Sequence, residues 1–425
     1  MASFYGLHHK FKCGCDLRRF GFKLQLLVDF GIFMYSVLSD IPTSAACSMQ
    51  RTGEAQILPS KTQVSMQYKR LGIVSLLACS LTLLFVFLNA VTADAQAPTF
   101  TVGWSVYAGW NPYFYMQKSG ILKKWADKYG VSIKVQRFDY AASLDSFVAK
   151  NIDACAMTNM EALDMPAAAG VDSTAIIVGD YSNGNDAVLV RNNLTFQTLP
   201  GKPIMLVQKT VSEYLLERGM VLNGQQSQLA KLHLINTSDA DIVAAFLNNK
   251  SNQAVVTWKP LVSQIVADKS VRSIFDSSKI PGEILDLMVV RTEVLNTPNG
   301  QKFAKALTAA WYETIQQVAA GRANALKYSA AASGDSVESY KEQLKTTALF
   351  VSPKSAVDFA DGTDVQKKMD LVRQFCFTHG LLGQGIHSVD EVAIAYPNGV
   401  VQGNKARVRL RFNSAYMQAA EQGKL

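Results

Sequence analysis

The sequence predicts an α/β protein of two lobes with a ligand cleft between them. Strand-like apolar runs alternate with helical periodicity from Phe100 to about residue 297, the pattern of sheets flanked by helices. Residues 193–284 repeat that rhythm and read as a second lobe inserted into the first. Beyond residue 297 the chain is mostly helical, a C-terminal extension of the first lobe. Of 425 residues, 48% are hydrophobic and 18% charged, which is enough apolar surface for large cores.

The elements follow in order. FTVGWSVYAG is an alternating strand. Asn111 reads as a helix cap with Pro112 at the first helical position, and Gly130 stops the same helix. On it, Phe114, Ile121, Leu122 and Trp125 share a face, and Lys123 to Lys128 form a basic last turn. VSIKVQRFD is a strand, 141–150 a helix and DACAMT a buried strand. Thr158 caps a helix through 168, and STAIIVGD is a further strand. In the second lobe KPIMLVQ, KLHLIN and QAVVTW are strands, each followed by a helix. ILDLMVV returns the chain to the first lobe. Helices are expected at 298–320, 336–346 and 364–378, then short segments at VAIAYP and VRLRF. This alternation predicts parallel sheets.

The front of the chain reads differently. Met66 opens a stretch with Lys69 and Arg70, then residues 71–91 without a charge, then Ala93-Asp94-Ala95. That is the three-part pattern of a secretory signal peptide cleaved after Ala95, which predicts a periplasmic protein. An uncleaved anchor is the alternative, because the apolar run is long enough to cross a bilayer. Residues 1–65 are expected to be a mis-called extension.

The formal charge is +8, but from Gln96 onward 33 Lys and Arg face 29 Asp and Glu. No long basic run exists, so a nucleic-acid partner is not indicated. Cys13, Cys15, Cys47, Cys79, Cys155 and Cys376 show no metal-ligand spacing. No metal or cofactor is expected. Cys155 and Cys376 read as buried free thiols, with one long-range disulfide as the alternative.

In such sheets ligands sit at the C-terminal ends of strands. That rule selects 104–111, 158–161, 180–186, 209–214, 236–239 and 258–260. Within these lie Trp104, Tyr107, Trp110, Asn159, Glu161, Asp180, Asn185, Asp186, Ser212, Asp239 and Trp258; Asp286 stands by the return crossover. Plainer readings exist for several. Thr158 with Glu161 and Thr210 with Glu213 have capping-box spacing. GDYSNGND could be only a polar turn, and Asp239 only a helix-start residue.

VGWSVYAGWNPYFYMQKSGILKKWADKYG, DACAMTNMEALDMPAAAGVDSTAIIVGDYSNGND, INTSDADIVAAF, AVVTWKP and DSSKIPGEILDLMVV resemble periplasmic solute-binding proteins of ABC importers. The likeness is to the nitrate/sulfonate/taurine-binding family, type II periplasmic-binding fold, and within it to the subgroup whose genes lie beside urea carboxylase. It covers about 98–415. The resemblance implies hinge closure on a small molecule, then docking on an ABC permease and its ATPase, by a monomer. It also implies that Trp104, Tyr107 and Trp110 face ligand while Phe114 and Trp125 pack the lobe.

The candidates are aromatic plus acidic, with only Lys209 and Lys259 nearby. Aromatic faces and carboxylates suit a cation or planar amide, and together with the urea-carboxylase association that the resemblance implies they point to a urea-, guanidine- or amidine-like solute. The alternatives are sulfonate, taurine or nitrate, or a pyrimidine precursor of thiamine. A cofactor-biosynthesis enzyme on this fold is a further alternative. No catalytic constellation is visible: His233, His379 and His387 are scattered, and no non-binding chemistry is predicted.

Overall fold

The computed structural model describes residues 96–425. The expected extension (1–65), the expected signal segment (66–95) and Cys13, Cys15, Cys47 and Cys79 lie outside the described residues.

Among the described residues fourteen strands build two mixed sheets. In chain order they are β1 Thr99–Trp104, β2 Ser132–Arg137, β3 Ala154–Thr158, β4 Ser173–Ser182, β5 Ala187–Arg191, β6 Pro203–Leu206 and β7 His233–Asn236. Then come β8 Ala254–Thr257, β9 Val271–Asp276, β10 Leu285–Arg291, β11 Thr347–Leu349, β12 Ala393–Ala395, β13 Val401–Gln402 and β14 Val408–Phe412. The first sheet runs β13-β12-β14-β4-β10-β3-β1-β2, with β11 on the end of β4. The second runs β7-β6-β8-β5-β9.

The sheets are not parallel throughout, as the alternation had predicted. β10 runs against both β3 and β4, and β5 runs against both β8 and β9. The cause is the double crossover. The chain leaves the first sheet after β4 through residues 183–186 and returns through 277–284. Each incoming strand therefore starts at the cleft, where its neighbours end. Residues 187–191, outside the predicted strands, are β5, so the passage into the second sheet falls ahead of residue 193.

A large core runs from the first lobe onto the second sheet, and a smaller one lies within the second lobe. In the first, Val102, Ala156, Met157, Ile176, Leu287 and Val289 are under 2% exposed. Burying one such aliphatic side chain contributes about 1.5–3 kcal/mol. The helix Pro298–Ala319 covers this sheet with Phe303, Leu307 and Trp311. The hydroxyl of Thr297 caps it by accepting from the Gly300 N–H at 2.9 Å. In the second lobe Leu189, Met205, Ile242, Phe246, Val255 and Ile265 pack together. Arg191, 3% exposed, spans that lobe to Asp268 at 2.7 Å.

Some local expectations change. The helix expected from Asn111 to Gly130 is two helices, Pro112–Lys118 and Ile121–Tyr129. Gly120 separates them at φ 81°, a left-handed turn that favours glycine. Asn111 does not cap: its backbone is helical, and its side-chain amide donates to the Ser333 hydroxyl at 3.0 Å. The helix expected to reach residue 168 ends at Asp164, and Ala323–Ser333, Pro353–Asp361 and Ala415–Glu421 are additional helices. Cys155 and Cys376 are buried free thiols. Among the described residues no helix is long and apolar enough to cross a membrane.

Candidate functional site

Strand ends from both sheets converge on one small cavity. Tyr107 and Trp110 come from the segment after β1, and Tyr140 opens the helix after β2. Thr158 ends β3, Asp186 lies in the outgoing crossover, and Val211 opens the helix after β6. Trp258 follows β8, and Ile284 and Asp286 lie where β10 begins. The volume is about 20 Å³, room for about one water molecule. A larger, open depression of about 560 Å³ lies around Thr174, Asn296 and Arg411, away from these strand ends.

Four aromatic rings make the walls. Tyr107 meets Trp110 edge-on at 5.2 Å between centroids, Trp110 meets Tyr140 at 5.5 Å, and Tyr140 meets Trp258 edge-on at 5.7 Å. Edge and tilted arrangements of this kind are the ones aromatic quadrupoles favour. All four residues are at most 5% exposed.

Carboxylates form the floor. Asp180 on β4 and Asp286 on β10 are cross-strand partners, both buried. The Tyr107 hydroxyl donates to Asp180 at 3.2 Å, and the Asn185 amide donates to Tyr107 at 3.1 Å. Asp180 also lies against Gly109, where a Cβ would sit 2.2 Å from its Oδ2. One oxygen each of Asp180 and Asp286 is buried without a hydrogen-bond donor. Asp186 accepts from the Ser182 hydroxyl. Burial pushes Asp180 up to about 7 and Asp186 up to about 7. Burial, then the charge of Asp180, raises Asp286 well above the carboxylate range. Among the described residues no Lys or Arg lines the cavity. Lys259 instead donates to the Thr346 hydroxyl at 2.8 Å.

Contacts between the lobes hold the cleft shut. The Trp258 indole N–H donates to the Val106 carbonyl at 3.1 Å. Glu161 does not close the capping box its spacing suggested. Its carboxylate takes the Thr158 hydroxyl and reaches across to accept the Val211 N–H at 2.9 Å. There it meets the N-terminus of the twelve-residue helix Val211–Leu222, where a negative charge is favoured. Asp239 accepts from the Tyr140 N–H at 3.3 Å. Below the cleft Glu217 pairs with His379 at 3.0 Å. Asn159 pins the return crossover, accepting the Leu285 N–H at 2.9 Å and donating to the Glu283 carbonyl at 3.0 Å. Arg218 and Tyr214 both donate to the Glu283 carboxylate.

Of the residues singled out in the sequence, Tyr107, Trp110, Asp186, Trp258 and Asp286 line the cavity. Asp180 and Asn185 stand directly behind Tyr107. Glu161 and Asp239 bridge the lobes, and Asn159 holds the crossover. Trp104 is in the first-lobe core and Ser212 in the buried first turn of its helix; neither lines the cavity. The Thr210 cap does form, accepting from Ser212 N–H at 3.3 Å. Thr158 and Val211 also line the cavity, within the selected segments 158–161 and 209–214, whereas Tyr140 and Ile284 lie outside every selected segment. The strand-end rule applied to β2 would have included Tyr140, which follows Arg137 by three residues.

These features define a two-lobed periplasmic-binding-protein fold. No protein-family model matches the chain, and no curated protein matches it in sequence. Solved structures do match in fold. The alkanesulfonate-binding protein of Xanthomonas axonopodis pv. citri, bound to MOPS, is 17% identical with a TM-score of 0.57, covering 68% of this chain and 96% of that one. A zinc-bound ligand-binding component of an ABC-type import system from Staphylococcus aureus is 12% identical (TM-score 0.52, coverage 66% and 92%). A Candida albicans protein described as having the generic periplasmic binding protein fold is 16% identical (TM-score 0.50, coverage 65% and 90%).

Proposed function

We propose that this protein is the solute-binding component of an ABC importer, working in the periplasm and delivering to a membrane permease with its ATPase. Its ligand is a small, planar, nitrogen-rich solute of the urea, guanidine or amidine type. The observation that carries this reading is the cavity lining: four aromatic rings, Asp186 and Asp286, and no cationic side chain. Such walls attract a delocalised cation through the ring faces, and the carboxylates supply charge-assisted acceptors for its N–H groups. The urea-carboxylase-associated subgroup and a role in nitrogen uptake are part of this reading.

A sulfonate ligand is the second reading, and the fold neighbour from Xanthomonas, an alkanesulfonate-binding protein, favours it. At 17% identity that likeness speaks for the fold. A sulfonate in this cavity would face Asp186 and Asp286 with no compensating Arg or Lys among the lining residues.

Thermal melting with urea, guanidinium, acetamidinium, taurine, nitrate and an aminopyrimidine distinguishes the two, since a ligand of the folded state raises Tm. A rise with guanidinium or acetamidinium supports the proposal. A rise confined to taurine or nitrate refutes it.

A further inference from the structure

The Asp180–Asp286 pair has a property that the ligand class alone does not require. Two carboxylates side by side in a buried site repel when both are ionised, so without a compensating cation one of them keeps a proton. These residues are cross-strand partners on adjacent strands at 0% and 3% exposure, each with one buried oxygen that has no hydrogen-bond donor. Nothing positive compensates them. The groups facing the pair are phenols and acids: Tyr107 and Tyr113 from the segment after β1, Tyr340 from the helix Val337–Leu344, and Asp186 from the crossover. Farther along the cleft stand Tyr140 and Glu161. Burial raises every one of these phenols, so none supplies charge that would stabilise a doubly ionised pair.

Resting on the proposed ligand class, we infer that capture of a cationic solute expels the proton shared by Asp180 and Asp286. The ligand's delocalised charge then replaces the proton as the bridge between the carboxylates and the aromatic walls. Asp286 is the contact point, because it lines the cavity and keeps one buried oxygen without a donor. Asp180 acts through Asp286 as a positioning residue, held by Tyr107 and by the close approach of Gly109. The exchange makes the cleft selective for charge. A guanidinium or amidinium ion restores neutrality to the ionised pair. Urea, of nearly the same shape, leaves the proton in place and gains only neutral hydrogen bonds.

The linkage has a definite sign. The proton-holding form competes with the cation, so affinity rises with pH and levels off once the pair is ionised. One proton competes with one cation, so the dissociation constant for guanidinium weakens by up to about tenfold for each pH unit below the point where the pair ionises.

The test is calorimetric titration of the protein with guanidinium chloride, acetamidinium chloride and urea, in phosphate and in Tris, across pH 5 to 8. The expected result is a binding enthalpy for both cations that depends on the buffer near pH 7, a cation affinity that falls toward pH 5, and urea binding without either effect. Asp286→Asn and Asp180→Asn, each checked for an intact melting transition, are both expected to abolish the proton release. Cation binding with a buffer-independent enthalpy and a constant affinity from pH 5 to 8 overturns proton exchange and leaves the proposed ligand class standing. Absence of binding by all three probes at pH 8 overturns that ligand class and the exchange with it.

Discussion

Replacing Trp258 by alanine tests the idea that closure of the lobes supplies affinity. Trp258 follows β8 in the second lobe, is 5% exposed, and donates its indole N–H to the Val106 carbonyl of the first lobe at 3.1 Å. Its ring also packs edge-on against Tyr140 of the first lobe at 5.7 Å. Both contacts cross the cleft, so both are made only when the lobes meet. A hydrogen bond of this kind contributes about 1 kcal/mol net. The aromatic pair contributes about 1 kcal/mol beyond its buried area. Their loss destabilises the closed state by about 2 kcal/mol, or roughly 30-fold in Kd, since a tenfold change is about 1.4 kcal/mol. Closure is the step a ligand shifts, so that loss appears in binding. Calorimetry with guanidinium at pH 8 reads it. Trp258→Phe keeps the ring contact and is expected to lose about 1 kcal/mol, roughly fivefold. A Trp258→Ala protein that binds within threefold of the parent refutes the argument.

Three further outcomes are expected. Glu161→Gln keeps the side-chain size but removes the charge facing the Val211 N–H, and is expected to weaken binding about tenfold while small-angle scattering shows a more open average shape. Gly109→Ala places a methyl against Asp180 Oδ2 at 2.2 Å, and is expected to cost about 1–3 kcal/mol in urea unfolding through overpacking. Asp180 and Asp186 have folded pKa values raised to about 7, so the stability linked to their protons is full below the ordinary carboxylate range and lost as pH rises through 7. The ligand-free protein should therefore melt at lower temperature at pH 8 than at pH 5.5; a higher Tm at pH 8 contradicts the burial of these acids.

Much of the fold is visible in local pattern. Alternation of apolar residues marks β1 and β2, and the uninterrupted apolar runs mark β3, β4 and β10. Strand direction is not local. It depends on where the chain crosses between the lobes, and that crossing is set by the run AVLVR after the polar turn, which is longer than the strands β6 and β7. That one strand moves the crossover ahead of residue 193 and turns Asn185 and Asp186 into crossover residues. Gly120 had a visible cue, but the helical face of Ile121, Leu122 and Trp125 hid the break.

The site divides in the same way. Residues at strand ends, such as Tyr107, Trp110 and Trp258, follow from a positional rule that needs only strand ends. Glu161 shows its limit: its spacing from Thr158 is that of a capping box, yet its carboxylate meets a helix from the other lobe. Nor could sequence place Asp180 beside Asp286, because their contact depends on the register of two strands 106 positions apart, Asp286 against Asp180.

A crystal structure of the protein grown with acetamidinium tests the central claim most directly. The account predicts the planar cation between Trp110, Tyr140 and Trp258, with its N–H groups directed at the Asp286 and Asp186 carboxylates. Electron density for the cation elsewhere, or a cleft that instead takes taurine with its sulfonate at the Val211 helix start, would contradict it.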